Sequence, residues 1–164
     1  MDINIVPIAT GHIKGFHKVL DIVARERKFL AFLEAPPFEQ TSQFVENNIA
    51  HKHPQFVAVA NDQVVGWCDI LPKCGAIHPH VGILGMGLLS EFRRMGIGAN
   101  LLQTTLLDAS GKGLSKIALN VRVDNAAAID LYKKFGFITE GELVDDAFVD
   151  GQFTNTFIMA KINH

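Results

Sequence analysis

The chain has 164 residues, a length that suits one domain with a buried core. Hydrophobic residues make up 48% of it and charged residues 20%, which is the composition of a globular protein and excludes a disordered one. The formal net charge of −2 argues against nucleic-acid binding, which requires a broadly basic face.

The N-terminus has no cationic segment ahead of an apolar stretch, so it does not resemble a signal peptide. The longest uncharged apolar stretch, around Val81 to Leu89, is too short to span a bilayer, and we expect no membrane partner. Cys68 and Cys74 are too few for a disulfide framework. These features predict a cytoplasmic protein with reduced thiols.

The first half of the chain predicts a strand, two helices and a β-hairpin. Ile3 to Ile8 alternates as a strand does, and Thr10 is a candidate N-cap for the helix that follows. A second helix is predicted to begin near Thr41. The segment between them, "FLAFLEAPPF", is interrupted by two prolines and should form an ordered loop. "QFVAVANDQVVGWCDI" predicts a hairpin that turns at Asn61-Asp62.

The second half predicts alternating strands and helices followed by a hairpin. "VGILGMGLL" indicates a strand whose glycines mark a bulge or a close ligand approach. A helix is predicted from about Gly96 to Lys112, then the strand "KIALNV" and a helix capped by Asn125. Residues 137–162 should form two strands that turn at Asp150-Gly151.

This order of elements predicts an α/β fold within a single domain covering residues 1–164. We expect one mixed, mostly antiparallel sheet of about seven strands, flanked by about four helices.

The stretch "FRRMGIG" predicts an anion site at the start of a helix. The first amides of a helix lack intrahelical partners and carry the positive end of its dipole. Gly96 and Gly98 have no Cβ, so an anion can approach those amides, and Arg93 and Arg94 add two cations. A pyrophosphate fits this arrangement. No complete dinucleotide fingerprint or Walker A motif is present.

A second motif, "NAAAIDLYKKFGF", follows at a suitable distance. Together with "RRMGIG" it resembles the GCN5-related N-acetyltransferase superfamily, whose members transfer acetyl groups from acetyl-CoA to amines. The family pattern [Q/R]-x-x-G-x-[G/A] is matched by Arg93, Gly96 and Gly98. The resemblance is strong from Gly85 to Phe137 and only topological before that. It implies the fold just described and acetyl-CoA as co-substrate.

The resemblance also implies roles for individual residues near the cofactor. Met86, Gly87 and Leu88 should bind the pantetheine arm through their backbone, and Asn125 should contact the cofactor. Tyr132 should lie beside the sulfur and protonate the departing thiolate. The pyrophosphate should be held by the loop and first helical turn, which comprise Arg93, Arg94, Met95, Gly96, Ile97, Gly98 and Ala99.

The proton acceptor for the incoming amine stays open between several groups. Asn120 occupies a position where several relatives carry Glu, and an amide can position a water but cannot take the proton. Glu34 and Asp69 are candidates to bind or deprotonate the amine, and a water chain without a single base is the alternative. Phe32 and Trp67 are candidate walls of an apolar acceptor pocket.

Two further expectations concern metals and the acceptor. Cys68, Cys74, His78 and His80 do not match a common zinc spacing, and we expect no metal. The resemblance favours a small-molecule primary amine, such as an amino acid, as the acceptor. A ribosomal-protein-type N-terminal acetyltransferase and a non-catalytic acyl-CoA sensor are the alternatives. A homodimer is kept open.

Overall fold

The computed structural model describes residues 2–164, which form seven strands and four α-helices. In chain order the elements are β1 Ile3–Pro7, α1 Ile13–Arg25, α2 Phe38–Ala50, β2 Gln55–Ala60, β3 Gln63–Pro72, β4 Val81–Leu88, α3 Ile97–Gly111, β5 Lys116–Arg122, α4 Ala126–Lys134, β6 Ile138–Val149 and β7 Gln152–Ile162. None of the helices within this range combines the length and apolar character that crossing a membrane requires.

The strands form one sheet in the order β1-β2-β3-β4-β5-β7-β6. Every neighbouring pair is antiparallel except β4 and β5, which run parallel. The predicted mostly antiparallel α/β fold is therefore confirmed. The parallel pair is short: its register runs from Val81↔Lys116 to Ile83↔Ala118 and then stops, although both strands continue.

Two apolar cores cover the two faces of the sheet. One core contains buried residues of α3 and α4, among them Leu101, Leu102 and Ile129, packed on the inner positions of β3, β4 and β5. The other joins α1 to the opposite face, where Phe16 and Val23 pack with Val57 and Trp67. In α1 the buried residues recur at three- and four-residue spacings, so one stripe of the helix faces the sheet.

Two helix starts differ from the prediction. The second helix begins at Phe38 and not near Thr41, because Pro37 precedes it with a backbone already close to helical φ. Thr10 does not cap α1. It begins a short 3-10 turn, and α1 starts at Ile13 without a side-chain cap. Both predicted hairpin turns are confirmed: Asn61 and Asp62 have positive φ, as do Asp150 and Gly151.

The hairpin of β2 and β3 contains a β-bulge that the sequence pattern does not reveal. Ala60 pairs with Gln63 and Val59 with Val64, but Ala58 then pairs with Gly66, so one extra residue lies in β3. Beyond the bulge every pairing is shifted by one residue, and Gln55 therefore lies directly opposite Asp69.

Candidate active site

The two central strands separate at one end of the sheet. β4 continues five residues beyond Ile83, to Leu88, and β5 continues four beyond Ala118, to Arg122, without pairing to one another. Within residues 2–164, the β4 backbone groups that point toward β5 in this stretch have no strand partner. A wedge-shaped opening with free amides and carbonyls on its wall can accept an extended amide-containing ligand.

Helix α3 begins at the same end of the molecule. Gly96 has a φ of 81° and ends the preceding loop, and the first helical hydrogen bond runs from the Asn100 amide to the Gly96 carbonyl. The amides of Ile97, Gly98 and Ala99 are thus left for an outside acceptor. A Cβ built on Gly98 would lie 3.7 Å from Met86 Cε, so this first turn adjoins β4. The geometry fits an anion bound at the mouth of the opening.

The two neighbouring arginines have different environments. The Arg93 guanidinium forms a two-pronged ion pair with Glu26, at 3.0 and 2.5 Å, and donates to the Leu88 carbonyl at 3.0 Å. It also lies 4.7 Å above the ring of Phe29. The expectation that both arginines add a free cation to the anion site is therefore corrected for Arg93, whose guanidinium is paired and whose side chain joins the end of α1 to β4. Arg94 is exposed and forms no ion pair within the described residues.

The glycines of β4 make room for side chains of β3. A Cβ on Gly87 would lie 2.3 Å from the Trp67 ring, and one on Gly85 would lie 3.3 Å from Asp69 Oδ1. Trp67 is 3% exposed and packs edge-on against Phe16. The assignment of Trp67 to the wall of an acceptor pocket is corrected: its ring belongs to the core beneath β4.

Asp69 lies in β3 opposite Gly85, on the face covered by α1 and α2. It is 7% exposed, and its Oδ2 accepts a hydrogen bond from Gln55 Nε2 at 3.2 Å. Burial raises the pKa of Asp69 to about 7, an effect that the hydrogen bond from Gln55 partly offsets. Its Oδ1 is turned toward the bare backbone of Gly85. A carboxylate with this pKa can exchange a proton near neutral pH.

Tyr132 lies on the opposite face, in the core formed by α3 and α4. It is 7% exposed, and its ring centroid is 5.6 Å from that of Phe137. Burial, followed by the nearby Cys68, raises the pKa of the Tyr132 phenol above its usual value. The phenol therefore keeps its proton over the whole physiological pH range, as a proton donor must.

The two asparagines predicted at the site differ in their surroundings: one is hydrogen-bonded as a helix cap and the other is exposed. Asn125 is the N-cap of α4, and its Oδ1 accepts a hydrogen bond from the Ala128 amide at 3.3 Å. This confirms its predicted capping role; its contact with the cofactor stays a prediction. Asn120 is exposed on β5, within the part of the strand that β4 no longer pairs with.

The loop between α1 and α2 holds the remaining predicted acceptor residues. The Glu34 side chain is 72% exposed and pairs with Arg25 at 3.3 Å, so it is held at the surface and no feature of its surroundings indicates a base. Phe32 is 38% exposed. The loop is ordered as predicted, because the Ala35 amide donates to Asp21 and His17 contacts the Pro36 carbonyl.

The two cysteines lie apart. Cys68 is buried in the core, whereas Cys74 is exposed in the loop between β3 and β4. Within residues 2–164 no group of three or more His, Cys, Asp or Glu side chains could hold a metal ion.

Sequence reasoning missed three features of this region. Gln55 was treated as an ordinary strand residue, and only the bulge places it against Asp69. Glu26, the partner of Arg93, is 67 residues away in the chain. Arg27 pairs with Asp150 at the tip of the β6–β7 hairpin, at 2.8 Å. No local pattern in the sequence indicates any of these three pairings.

Comparison with known proteins identifies the family to which this chain belongs. The family model described as the acetyltransferase (GNAT) family matches residues 18–137. An L-amino acid N-acetyltransferase of Escherichia coli is 30% identical over 66% of this chain and 67% of its own length. An N-alpha-acetyltransferase of Sulfurisphaera tokodaii is 31% identical over 71% of this chain and 74% of its own.

Solved structures show the same fold at lower sequence identity. A GNAT-family acetyltransferase of Streptococcus pneumoniae superposes with a TM-score of 0.91 at 22% identity, over 98% of this chain and 99% of the other. A phosphinothricin acetyltransferase of Sinorhizobium meliloti in complex with acetyl-CoA has a TM-score of 0.92 at 15% identity, over 99% and 89%. The chain belongs to the GNAT acetyltransferase family and is an acetyl-CoA-dependent N-acetyltransferase.

Proposed function

We propose that this enzyme acetylates the primary amine of a small molecule, and that amino acids are its acceptor class. The observation that carries the proposal is a bridge on the acceptor side of the sheet. Arg27, just after α1, pairs with Asp150 at the β6–β7 turn, and Arg122 at the end of β5 donates to the Arg27 carbonyl at 3.0 Å. A bridged cleft suits a compact acceptor better than an extended polypeptide.

A cation at the end of β5 favours amino acids among the small amines. The Arg122 side chain is 13% exposed, and its Nε finds no hydrogen-bond partner within the described residues. The nearest carboxylate oxygen, of Asp124, is 3.8 Å away. An incompletely paired guanidinium is suited to an α-carboxylate. The Escherichia coli relative named for L-amino acids agrees with this choice, and the relatives named N-alpha-acetyltransferases support the alternative of a protein N-terminus.

The chemistry follows from the residues at the opening. Acetyl-CoA, when bound, supplies an acetyl thioester. The first amides of α3 bind its pyrophosphate, the free edge of β4 from Met86 to Leu88 donates to the pantetheine arm, and Asn125 contacts the cofactor. An ammonium has no lone pair, so Asp69 takes its proton through Oδ1, with Asn120 positioning a water where one intervenes. The neutral amine would then form a bond to the thioester carbonyl carbon while the carbon–sulfur bond breaks, and Tyr132 would give its proton to the departing CoA thiolate. Glu34 is left outside this scheme.

A screen for thiol release with acetyl-CoA tests the acceptor class. L-amino acids, polyamines, aminoglycosides and peptides with free N-termini are the four acceptor sets, and Tyr132→Phe enzyme provides the background rate. We expect turnover with amino acids. Turnover confined to the peptides would contradict the proposal and establish the alternative.

Two variants link the screen to the structure. Asp150→Asn removes the bridge charge at a residue whose positive φ Asn tolerates well, and we expect it to admit peptides more readily. Arg122→Gln should raise KM for amino acids and leave KM for polyamines unchanged. Equal effects of Arg122→Gln on both acceptor sets would remove the argument for a carboxylate.

A further inference from the structure

Asp69 is the last member of a directed chain of hydrogen-bonded side chains, all of them buried except the partly buried His53. Gln55 Nε2 donates to Asp69 Oδ2 at 3.2 Å, Asn48 Nδ2 donates to Gln55 Oε1 at 3.0 Å, and His53 Nδ1 lies 3.2 Å from Asn48 Oδ1. Gln55 is 3% exposed and Asn48 is 2% exposed. The chain crosses from the loop after α2, through α2 and β2, to β3.

The direction of the chain is set by the carboxylate at its end. An ionised carboxylate only accepts, so Gln55 must present its amide nitrogen to Asp69 and its oxygen to Asn48. Asn48 must then offer its own oxygen to His53, whose Nδ1 carries a proton. Burial is the main cause that lowers the pKa of His53, and a neutral ring protonated at Nδ1 meets this requirement. All the donors therefore point toward Asp69.

The hydrogen bond from Gln55 makes the two oxygens of Asp69 unequal. Oδ2 is occupied by an amide that is itself held by Asn48. Oδ1 faces Gly85, where the absent side chain leaves the approach open. Gly85 lies two residues beyond the last paired position of β4, Ile83, where the opening between β4 and β5 begins.

We propose that Gln55 is a positioning residue for acetyl transfer: it holds the Asp69 carboxylate through Oδ2 so that Oδ1, beside Gly85, is the oxygen that receives the proton of the acceptor amine. This inference rests on the proposed role of Asp69 as base. The amides do not carry the proton. They orient the carboxylate and favour its ionised form, while burial opposes ionisation.

Gln55 is the side chain whose replacement removes the hydrogen bond to Asp69 without removing a charge beside it. No charged side chain within residues 2–164 forms a hydrogen bond or an ion pair with Asp69. The other titratable groups nearby are His53, three hydrogen bonds away along the chain, and Cys68, the adjacent residue, whose side chain lies in the core on the other face. His51 stacks on His53, and Lys112 also lowers the His53 pKa.

The test compares the Asp69 titration in wild-type protein, Gln55→Met and Gln55→Glu. Both replacements keep the length and approximate volume of the side chain. Carboxyl resonances are followed by NMR in protein labelled with 13C-aspartate, and the Asp69 signal is assigned by its loss in Asp69→Asn. In Gln55→Met we expect the titration to move upward by about one pH unit, since a hydrogen bond to a charged group has been removed. In Gln55→Glu the upper titration step of the carboxyl pair should lie higher still.

The same variants are then assayed for turnover with the amino-acid acceptor. The acid limb of the kcat/KM profile should move with the NMR titration, while KM for acetyl-CoA stays the same. Thr105→Val is the matched control, because it also removes a fully buried hydrogen-bonding side chain but on the other face. It should lower stability and leave the acid limb in place.

The outcomes separate this inference from the proposed function. An unchanged Asp69 titration in folded Gln55→Met, or in Gln55→Glu if the Met variant does not fold, overturns the positioning role whether or not any acceptor is known. A shifted titration with an unmoved acid limb overturns it as well, and assigns the failure to Asp69 as the base.

Discussion

The two faces of the sheet assemble their functional groups in different ways. On the face covered by α3 and α4, the proposed anion site and the proposed proton donor lie between Gly96 and Tyr132, in one continuous part of the chain. On the other face, Asp69 depends on Gln55 and Asn48, and the bridge joins Arg27 to Asp150 across 123 residues. Substitutions on the first face should therefore alter cofactor binding or the chemical step. Those on the second should alter pH dependence and acceptor choice.

The largest effect is expected from Tyr132→Phe, which keeps the ring and removes its only proton. Loss of a general acid is typically worth about 10²–10⁴-fold, so kcat should fall by roughly that factor while the affinity for acetyl-CoA changes little. Steady-state kinetics and calorimetry measure the two quantities. Phe137→Leu is the control, since it removes the neighbouring ring but no proton donor. A kcat within threefold of wild type would falsify the role of Tyr132.

On the other face of the sheet, Asp69→Asn should have opposite effects on activity and on stability. The folded pKa of about 7 lies above the usual 3.8, so folding favours the protonated carboxyl. That contribution is present at low pH and is lost as the pH rises through 7. The neutral Asn variant should therefore become more stable than wild type between pH 4 and pH 8, by up to about 4 kcal/mol, while it loses turnover.

Urea unfolding at pH 5 and pH 8 measures this difference. A stability gap between wild type and Asp69→Asn that is the same at both pH values would show that Asp69 titrates normally. In that case the pKa of Asp69 would not be raised, and nothing would single Asp69 out as a base near neutral pH.

Gly98→Val tests the anion site on the cofactor face. A Cβ at Gly98 makes only ordinary contacts, so the fold should tolerate the change, while the added methyl groups would crowd the first turn of α3 beside Met86, where the cofactor is proposed to bind. We expect acetyl-CoA to bind roughly tenfold more weakly or worse, a loss of about 1.4 kcal/mol or more. Gly111→Val, near the other end of the same helix, has open space around its Cβ and is the control.

Gly98 is preferred to Gly96 for this experiment. Gly96 has a φ of 81°, where any side chain is strained, so weaker binding in a Gly96 variant would have two explanations. Calorimetric affinity of a folded Gly98→Val protein equal to that of Gly111→Val would contradict binding at this helix start.

The smallest effect is expected from Arg94→Gln. Arg94 is exposed, so its attraction for a bound anion is screened by salt. Acetyl-CoA affinity should fall by about two- to fivefold at low salt and approach the wild-type value at high salt. Lys18→Gln makes the same charge change on the exposed surface of α1. Equal responses to the two variants would show that only net charge matters.

The sequence by itself determined the order of the elements and both hairpin turns, and it predicts an anion site at the start of α3. Each of these depends on residues within about two helical turns of one another, for example Gly96 at the start of α3 or Asn125 at the start of α4. These local signals can be interpreted without knowing which segments of the chain pack against them. The start of α2 at Phe38 is local too: Pro37 precedes it with a φ close to the helical value, and the prediction near Thr41 overlooked this proline signal.

Only the tertiary structure decided which groups surround Asp69 and Arg93. A hairpin that turns at Asn61-Asp62 without a bulge would pair Gln55 with Cys68; the extra residue in β3 pairs Gln55 with Asp69 instead. Arg93 likewise carries the signature of a phosphate ligand, yet its guanidinium is paired with Glu26, the residue just after α1. Strand register and ion pairing across the fold depend on the packing of distant segments, and the spacing of residues along the chain carries no record of it.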